Sequence, residues 1–143
     1  MGPHFRAGVI VVVEDGRGRV MAFERVDAPG SWQLPQGGID TGEQPFEAAW
    51  RELGEETGLD ATSVRFVSEY PRWTVYELPQ QFQRGVRLGQ AHRWFRFQLI
   101  NDETEPEPDG IEFSSWRWMT PEELVGVTAE FRRPGYAEVL LGG

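Results

Sequence analysis

Cysteine is absent from the 143 residues, and so is lysine. The first absence excludes disulfides, thiolate nucleophiles and every sulfur-based zinc pattern, and makes a reducing cytoplasm the expected compartment. Histidine occurs only at positions 4 and 92, too far apart in the chain for a paired-imidazole metal motif. No apolar run is long enough to cross a bilayer; the β-branched run at residues 9–13 is far too short, and no secretory leader is evident. No membrane partner is therefore expected. A net charge of −9 argues against broad electrostatic binding, so duplex DNA is not an expected partner either.

The missing lysine leaves arginine as the base at all 14 basic positions. Arginine's planar fork suits phosphates and stacks on bases. Coding bias explains the same composition more simply, and that is the reading adopted. An apolar content of 39% with 13% aromatics places the chain among folded proteins, and its length suits one domain spanning residues 1–143 with a proper core. No internal repeat or linker is visible.

What is present is concentrated in residues 37–59, GGIDTGEQPFEAAWRELGEETGL. Phe46, Ala49, Trp50 and Leu53 recur at helical spacing and form an apolar stripe. Glu52, Glu55 and Glu56 share the i, i+3, i+4 relation and form a second stripe, aimed at a cleft. Like charges so close repel, and oxygen-seeking hard cations relieve that repulsion. Gly37, Gly38 and Gly42 permit a tight approach loop, Pro45 suits a first helical turn, and Gly58 suits a left-handed helix end. Arg51 is placed to anchor loop carboxylates. A merely solvated acidic face would explain the helix. It would not explain the glycine-rich approach, Glu43, or three carboxylates without basic partners one turn on.

Around this segment the pattern predicts strands at residues 5–13 and 19–25, joined by a hairpin at 14–18. A short extended piece follows at 31–35, then a helix at 45–57. Strands are predicted at 64–70, 73–78, 92–99 and 113–119, with an acidic loop at 101–109. Thr120-Pro121-Glu122-Glu123 has the form of a capping box opening a helix, and a last helix starts near Pro134. This order fits an α/β sandwich.

Gly37, Glu43, Arg51, Glu52, Leu53, Glu55, Glu56, Gly58 and Leu59 match every fixed position of the Nudix hydrolase signature, which the segment therefore resembles. The resemblance implies an α/β/α sandwich with a mixed β-sheet between helices. It implies that Glu52, Glu55 and Glu56 hold Mg²⁺, with Mn²⁺ as an alternative, near the Gly37 carbonyl. Glu43 would support the loop and Arg51 would orient the carboxylates. Glu52 is the expected general base, with a downstream glutamate as rival. The reaction implied is attack of water on a nucleotide diphosphate linkage. No nucleophile-elbow sequence offers a serine alternative.

The flanks narrow the likeness. Ser31-Trp32-Gln33-Leu34-Pro35-Gln36 and Gly89-Gln90-Ala91-His92-Arg93-Trp94-Phe95 are similar to the branch of the family that acts on bacterial RNA ends and asymmetrical dinucleoside polyphosphates. So are Glu112-Phe113-Ser114-Ser115-Trp116-Arg117-Trp118 and Phe131-Arg132-Arg133-Pro134-Gly135-Tyr136. By that likeness Glu112 reaches the metals, and Arg6, Gln90, Arg93, Arg132, Arg133 and Tyr136 contact substrate. Two departures stand out: Arg6 lacks the proline-asparagine that usually follows it, and arginine stands at 93 where lysine is commoner. Independently of the likeness, residues 80–98 hold Arg84, Arg87, Arg93 and Arg96 and no acid, beside Phe82, His92, Trp94 and Phe95. Basic groups among aromatics suit a phosphate chain and a stacked base. Strand alternation requires some of those aromatics to be core, with His92, Trp94 and Arg96 on one face and Arg93, Phe95 and Phe97 on the other.

The expected substrates are dinucleoside polyphosphates or the 5′-triphosphate end of RNA, with the protein acting as monomer or homodimer. Within the same chemistry the alternatives are a nucleoside triphosphate sanitiser and an ADP-ribose or nucleotide-sugar pyrophosphatase. From another class comes a non-catalytic nucleotide sensor, which would have no need of all four signature glutamates.

Overall fold

The computed structural model describes residues 4–83 and 87–142. Its centre is β1 (His4–Glu14), whose residues 9–13 are wholly buried. A run buried on both faces needs covering layers on both, and the alternation of side chains sorts it. Val9, Val11 and Val13 pack with Ala48, Ala49 and Leu53 of α1 (Pro45–Thr57). Ile10 and Val12 pack with Leu124 of α2 (Pro121–Val127) and with Tyr136 and Val139 of α3 (Arg133–Leu140). The result is a mixed β-sheet between α1 on one face and α2 with α3 on the other.

The strands are β2 (Val20–Arg25), β3 (Trp32–Gln33), β4 (Gln36–Gly38), β5 (Val64–Glu69), β6 (Thr74–Glu77), β7 (Arg87–Leu99) and β8 (Phe113–Met119). Their main path runs β3-β2-β1-β7-β5, with β4 on β1, β6 on β7 and β8 on β2. The long central pair, β1 and β7, is parallel. β1 and β2 pair where the hairpin closes, Glu14 opposite Val20. Farther along, β1 takes β4 instead, with Gly8, Val9 and Ile10 opposite Gly38, Gly37 and Gln36. This change of partner brings the glycine-rich approach directly beneath α1.

Two elements differ from the sequence expectation. Gly37 lies in a strand, not a loop, because backbone pairing with β1 holds a segment too short to show a side-chain pattern. β7 starts five residues before the expected 92. Gly89, Gln90 and Ala91 are weak strand formers, but they lie between β1 and β6 and their ladders are made on both sides. The backbone approach at Gly89 is close: a Cβ there would lie 2.0 Å from the Tyr76 carbonyl oxygen.

The helix ends follow local chemistry. The Gln44 N–H donates to Glu47 at 2.9 Å, Pro45 opens α1, and Gly58 closes it at φ +73° with its N–H on the Gly54 carbonyl at 3.0 Å. At α2 the capping box is complete: Glu123 N–H donates to the Thr120 hydroxyl and Thr120 N–H to the Glu123 carboxylate. Among the described residues no helix is long and apolar enough to cross a membrane.

Candidate active site

One helical turn separates Glu52 from Glu56, and both are buried, 7% and 4% exposed. They face β4, whose backbone receives them. The Gln36 N–H donates to Glu56 Oε2 at 3.0 Å. Gly37 leaves the space that Glu52 fills; a Cβ there would stand 2.1 Å from the Glu52 carboxyl carbon. Gly8, across the ladder, is needed too, since its Cβ would lie 2.6 Å from the Gly37 carbonyl oxygen. Glu55 points outward and is the most exposed of the three.

Arg51 gathers the loop and the helix. It donates from Nε and Nη2 to Glu43 at 2.8 and 3.0 Å, from Nη2 to the Gly38 carbonyl at 2.7 Å, and from Nη1 to Glu52 at 2.8 Å and Glu55 at 3.3 Å. Glu43 also accepts the Asp40 N–H at 2.9 Å. The Glu43 contact above all holds the Arg51 guanidinium protonated, and the same contact lowers Glu43.

Glu112 enters from just before β8, and its carboxyl interacts with that of Glu56. Two carboxyl groups so placed in a buried site do not both carry charge without cost. Burial first, then the Glu112 bond and charge, then Glu52 push Glu56 up to about 11; the Gln36 N–H opposes this weakly. Burial also raises Glu52, against the pull of Arg51. Such a site stores unfavourable charge. Its donors are all oxygen: the carboxylates of Glu52, Glu55, Glu56 and Glu112 and the Gly37 carbonyl. That set fits a hard divalent cation, which would take the place of the Glu56 proton. As the side chains stand, no group of three acidic or imidazole residues among those described is gathered tightly enough to hold an ion. Arg51 engages Glu52, and Glu55 turns outward.

The remaining expected residues lie elsewhere on the sheet. Arg6 is exposed and lies over Gly38, where a Cβ would meet its Nη2 at 2.2 Å. Gln90 is half-buried and accepts from the Tyr76 hydroxyl at 3.0 Å and Gln36 Nε2 at 3.3 Å. Arg93, on the opposite face of β7 from His92 and Trp94, pairs with Glu69 at 2.5 Å and lies over Trp73. Arg132 is 9% exposed, lies over the Phe131 ring at 4.6 Å, and its Nε has no partner. Arg133 donates to the Thr128 and Gly126 carbonyls at 3.2 and 3.4 Å, closing the end of α2. Arg84 lies outside the described residues. Tyr136 requires a correction: it is a core residue, 1% exposed, and its hydroxyl accepts the Leu34 N–H at 2.9 Å. It braces the segment before β4 from below and presents no open face to a substrate.

A cavity of about 310 Å³ is lined by Arg25, Asp27, Ala28, Ser31, Leu78, Phe82, Ala129, Phe131 and Arg132. Arg25 links the two regions. It donates to Asp27 at 2.8 and 3.0 Å and to Gln33 Oε1 at 2.8 Å. The Asp27 bond chiefly raises its pKa, with the charges of Glu112 and Glu56 adding to it. His92, buried behind this region, is kept neutral: burial, then Arg132 and Arg6, push it down to about 3. Sequence reasoning missed Arg25, Phe131 and Gln36. Phe131 stood within a quoted motif, but Arg25 ends an ordinary strand and gave no signal.

The description "NUDIX domain" matches residues 4–140. The chain is 42% identical over 143 residues to an RNA pyrophosphohydrolase of Cereibacter sphaeroides, covering 95% of this chain and 88% of that protein. It is 40% identical over 151 residues to Nudix hydrolase 25 of Arabidopsis thaliana, covering 96% and 85%. Among solved structures it is similar to the E. coli dihydroneopterin triphosphate pyrophosphohydrolase, with a TM-score of 0.80 at 20% identity over 97% of this chain and 99% of that one. The C. elegans Ap4A hydrolase gives 0.72 at 16% over 96% and 98%. These two likenesses show the fold. With the helix-borne glutamates, the sheet and the relatives agreeing along nearly its whole length, the chain belongs to the Nudix family.

Proposed function

We propose that the protein hydrolyses a phosphoanhydride bond at the 5′-triphosphate end of RNA, with dinucleoside polyphosphates as a second substrate class. The observation that carries this reading is the cavity lined by Phe82 and Phe131 together with Arg25 and Arg132, in which Arg25 also feels the charges of Glu112 and Glu56. Aromatic faces stack a base and guanidinium groups bind phosphate, so a nucleoside lodged there would present its polyphosphate to the carboxylates. The relatives' name, RNA pyrophosphohydrolase, agrees with this choice. The net charge of −9 fits capture of one chain end by a local basic patch better than binding along a duplex.

The proposed metal is Mg²⁺, held by Glu52, Glu55, Glu56, Glu112 and the Gly37 carbonyl. When bound, such an ion supplies charge neutralisation for the phosphates and lowers the pKa of water. The chain's own groups do the rest. Arg51 and Glu43 fix the approach to α1, so that the carboxylates keep their spacing. Glu52 is proposed as proton acceptor for the attacking water; its burial raises its basicity toward the working pH. Arg6, Gln90 and Arg132 are proposed to contact the phosphate chain, and Arg93 is proposed as a more distant contact because Glu69 already engages it.

A screen of triphosphorylated RNA, diadenosine polyphosphates, nucleoside triphosphates and nucleotide sugars, with and without Mg²⁺, tests the reading by product mass. Release of pyrophosphate or phosphate from the RNA end is expected. Tight nucleotide binding with no turnover on any of these would replace the enzyme by a sensor.

A further inference from the structure

The acidic loop expected at 101–109 ends in a residue held by the backbone that follows it. Asp109 is half-buried, and its Oδ1 accepts three successive amides: Ile111 at 3.0 Å, Glu112 at 2.9 Å and Phe113 at 3.0 Å. Burial by itself would raise this carboxyl, yet the three amides outweigh it and hold the group below its ordinary value. Gly110, at φ +74°, turns the chain so that those amides converge, and its own N–H donates to the Phe113 carbonyl at 3.0 Å. On the other side the Glu112 carbonyl accepts the Val26 N–H at 2.9 Å. Glu112 is thus clamped at both backbone groups while its side chain reaches Glu56. The regular ladder does not supply this hold: β2 and β8 lose register between Glu24 and Arg25, where Phe113 is the partner.

We infer that Asp109 is a positioning residue, fixing Glu112 against Glu56 and so setting both the affinity for the divalent ion and the turnover. The inference rests on the proposed role of Glu112 as a ligand. A role in stability alone is the weaker reading. Ile111 is exposed and Glu112 half-buried, so water can replace what Asp109 offers those two amides, whereas Phe113 is buried. Water cannot restore the fixed direction of the Glu112 side chain.

The test compares Asp109→Ala, Asp109→Asn, Glu112→Gln and the Asp109→Ala/Glu112→Gln double variant. Readouts are kcat, KM and the half-activating Mg²⁺ concentration on triphosphorylated RNA, with Tm recorded for each. Asp109→Ala is expected to lower kcat and raise half-activating Mg²⁺ by about 10- to 100-fold, the usual effect of losing a group that orients a metal ligand, with KM little changed. Asp109→Asn keeps the accepting oxygen and is expected to recover most of both. The double variant is expected to be no worse than Glu112→Gln, since Asp109 acts through that residue. Additive losses, or an Asn variant as impaired as Ala, would overturn the inference. If Asp109→Ala does not fold, the Asn variant decides alone: a shifted half-activation there refutes the hydrogen-bond role. Full activity of Glu112→Gln would sink the proposed role of Glu112, and this inference with it. A dead Glu112→Gln beside a fully active Asp109→Ala sinks only the inference.

Discussion

The carboxylate wall and the neighbouring cavity are built in opposite ways. Apart from Glu112, the wall comes from one continuous stretch, residues 37–59, in which helical spacing, a capped start and a glycine end fix nearly every relation between side chains. The cavity comes from three separated stretches: the end of β2 with the loop after it, the turn at Gln80–Phe82 with Leu78 before it, and the segment between α2 and α3. No single one of these stretches has a periodicity that fixes its place relative to the others. A short segment can place charges at a set spacing because an α-helix is a local structure. A concave site with aromatic walls needs several elements to meet, and only the packing of α3 and β6 on the sheet brings them together.

The comparison can be broken by showing that both regions affect the same kinetic constant. The largest effect is expected in the wall. Glu56→Gln should lower kcat by roughly 10²-fold or more, as loss of a preorganised electrostatic partner does. Its Tm without metal should hold or rise, since a neutral amide replaces a carboxyl that burial already keeps protonated. Full activity in this variant would remove Glu56 from the chemistry. In the cavity the weight should fall on KM. Phe131→Ala, measured on triphosphorylated RNA, should raise KM about 5- to 100-fold, the equivalent of one stacked base, with kcat changed far less. Equal falls in kcat would place the ring at the reacting phosphates instead.

A third prediction concerns protons. Glu56 has a folded pKa raised above the ordinary 4.5, so its contribution to stability is fully present below 4.5 and is lost as pH rises toward about 11. The metal-free protein should therefore lose Tm with rising pH through this window, and Mg²⁺ should restore more Tm at the alkaline end. Calorimetry of Mg²⁺ binding in buffers of different ionisation enthalpy should show proton release. Binding with no proton release would contradict a protonated Glu56–Glu112 pair. The smallest effect on activity is expected from Tyr136→Phe. It leaves the buried Leu34 N–H without its acceptor, at a cost of about 1–3 kcal/mol in stability, while KM stays unchanged. A raised KM without loss of Tm would restore Tyr136 to the substrate contacts.

Legibility followed the range of the interactions. α1 and β8 have the boundaries that periodicity gave them, and the capping box at Thr120 is made as written. β4 and the start of β7 were not readable, because glycine and glutamine there are held in strands by their pairing, β4 on β1 and the start of β7 between β1 and β6. The outer arginines share one sequence signal and have separate fates. Arg133 closes a helix, Arg93 is taken by Glu69, and Arg132 lies beside the cavity with an unpartnered Nε. Charge alone could not sort them, since each fate depends on which carboxylate or carbonyl the fold brings within reach.

The order of residues by itself determined the glutamate spacing on α1, the Arg51 anchor beside it and the alternation that splits residues 9–13 between two cores. Those are consequences of bond geometry within a few residues. Only the tertiary structure decided that Glu112 meets Glu56, that Arg25 stands between carboxylates and cavity, and that Tyr136 is buried. Each of these pairings joins distant parts of the chain, and long-range contacts form only when the two layers close on the sheet.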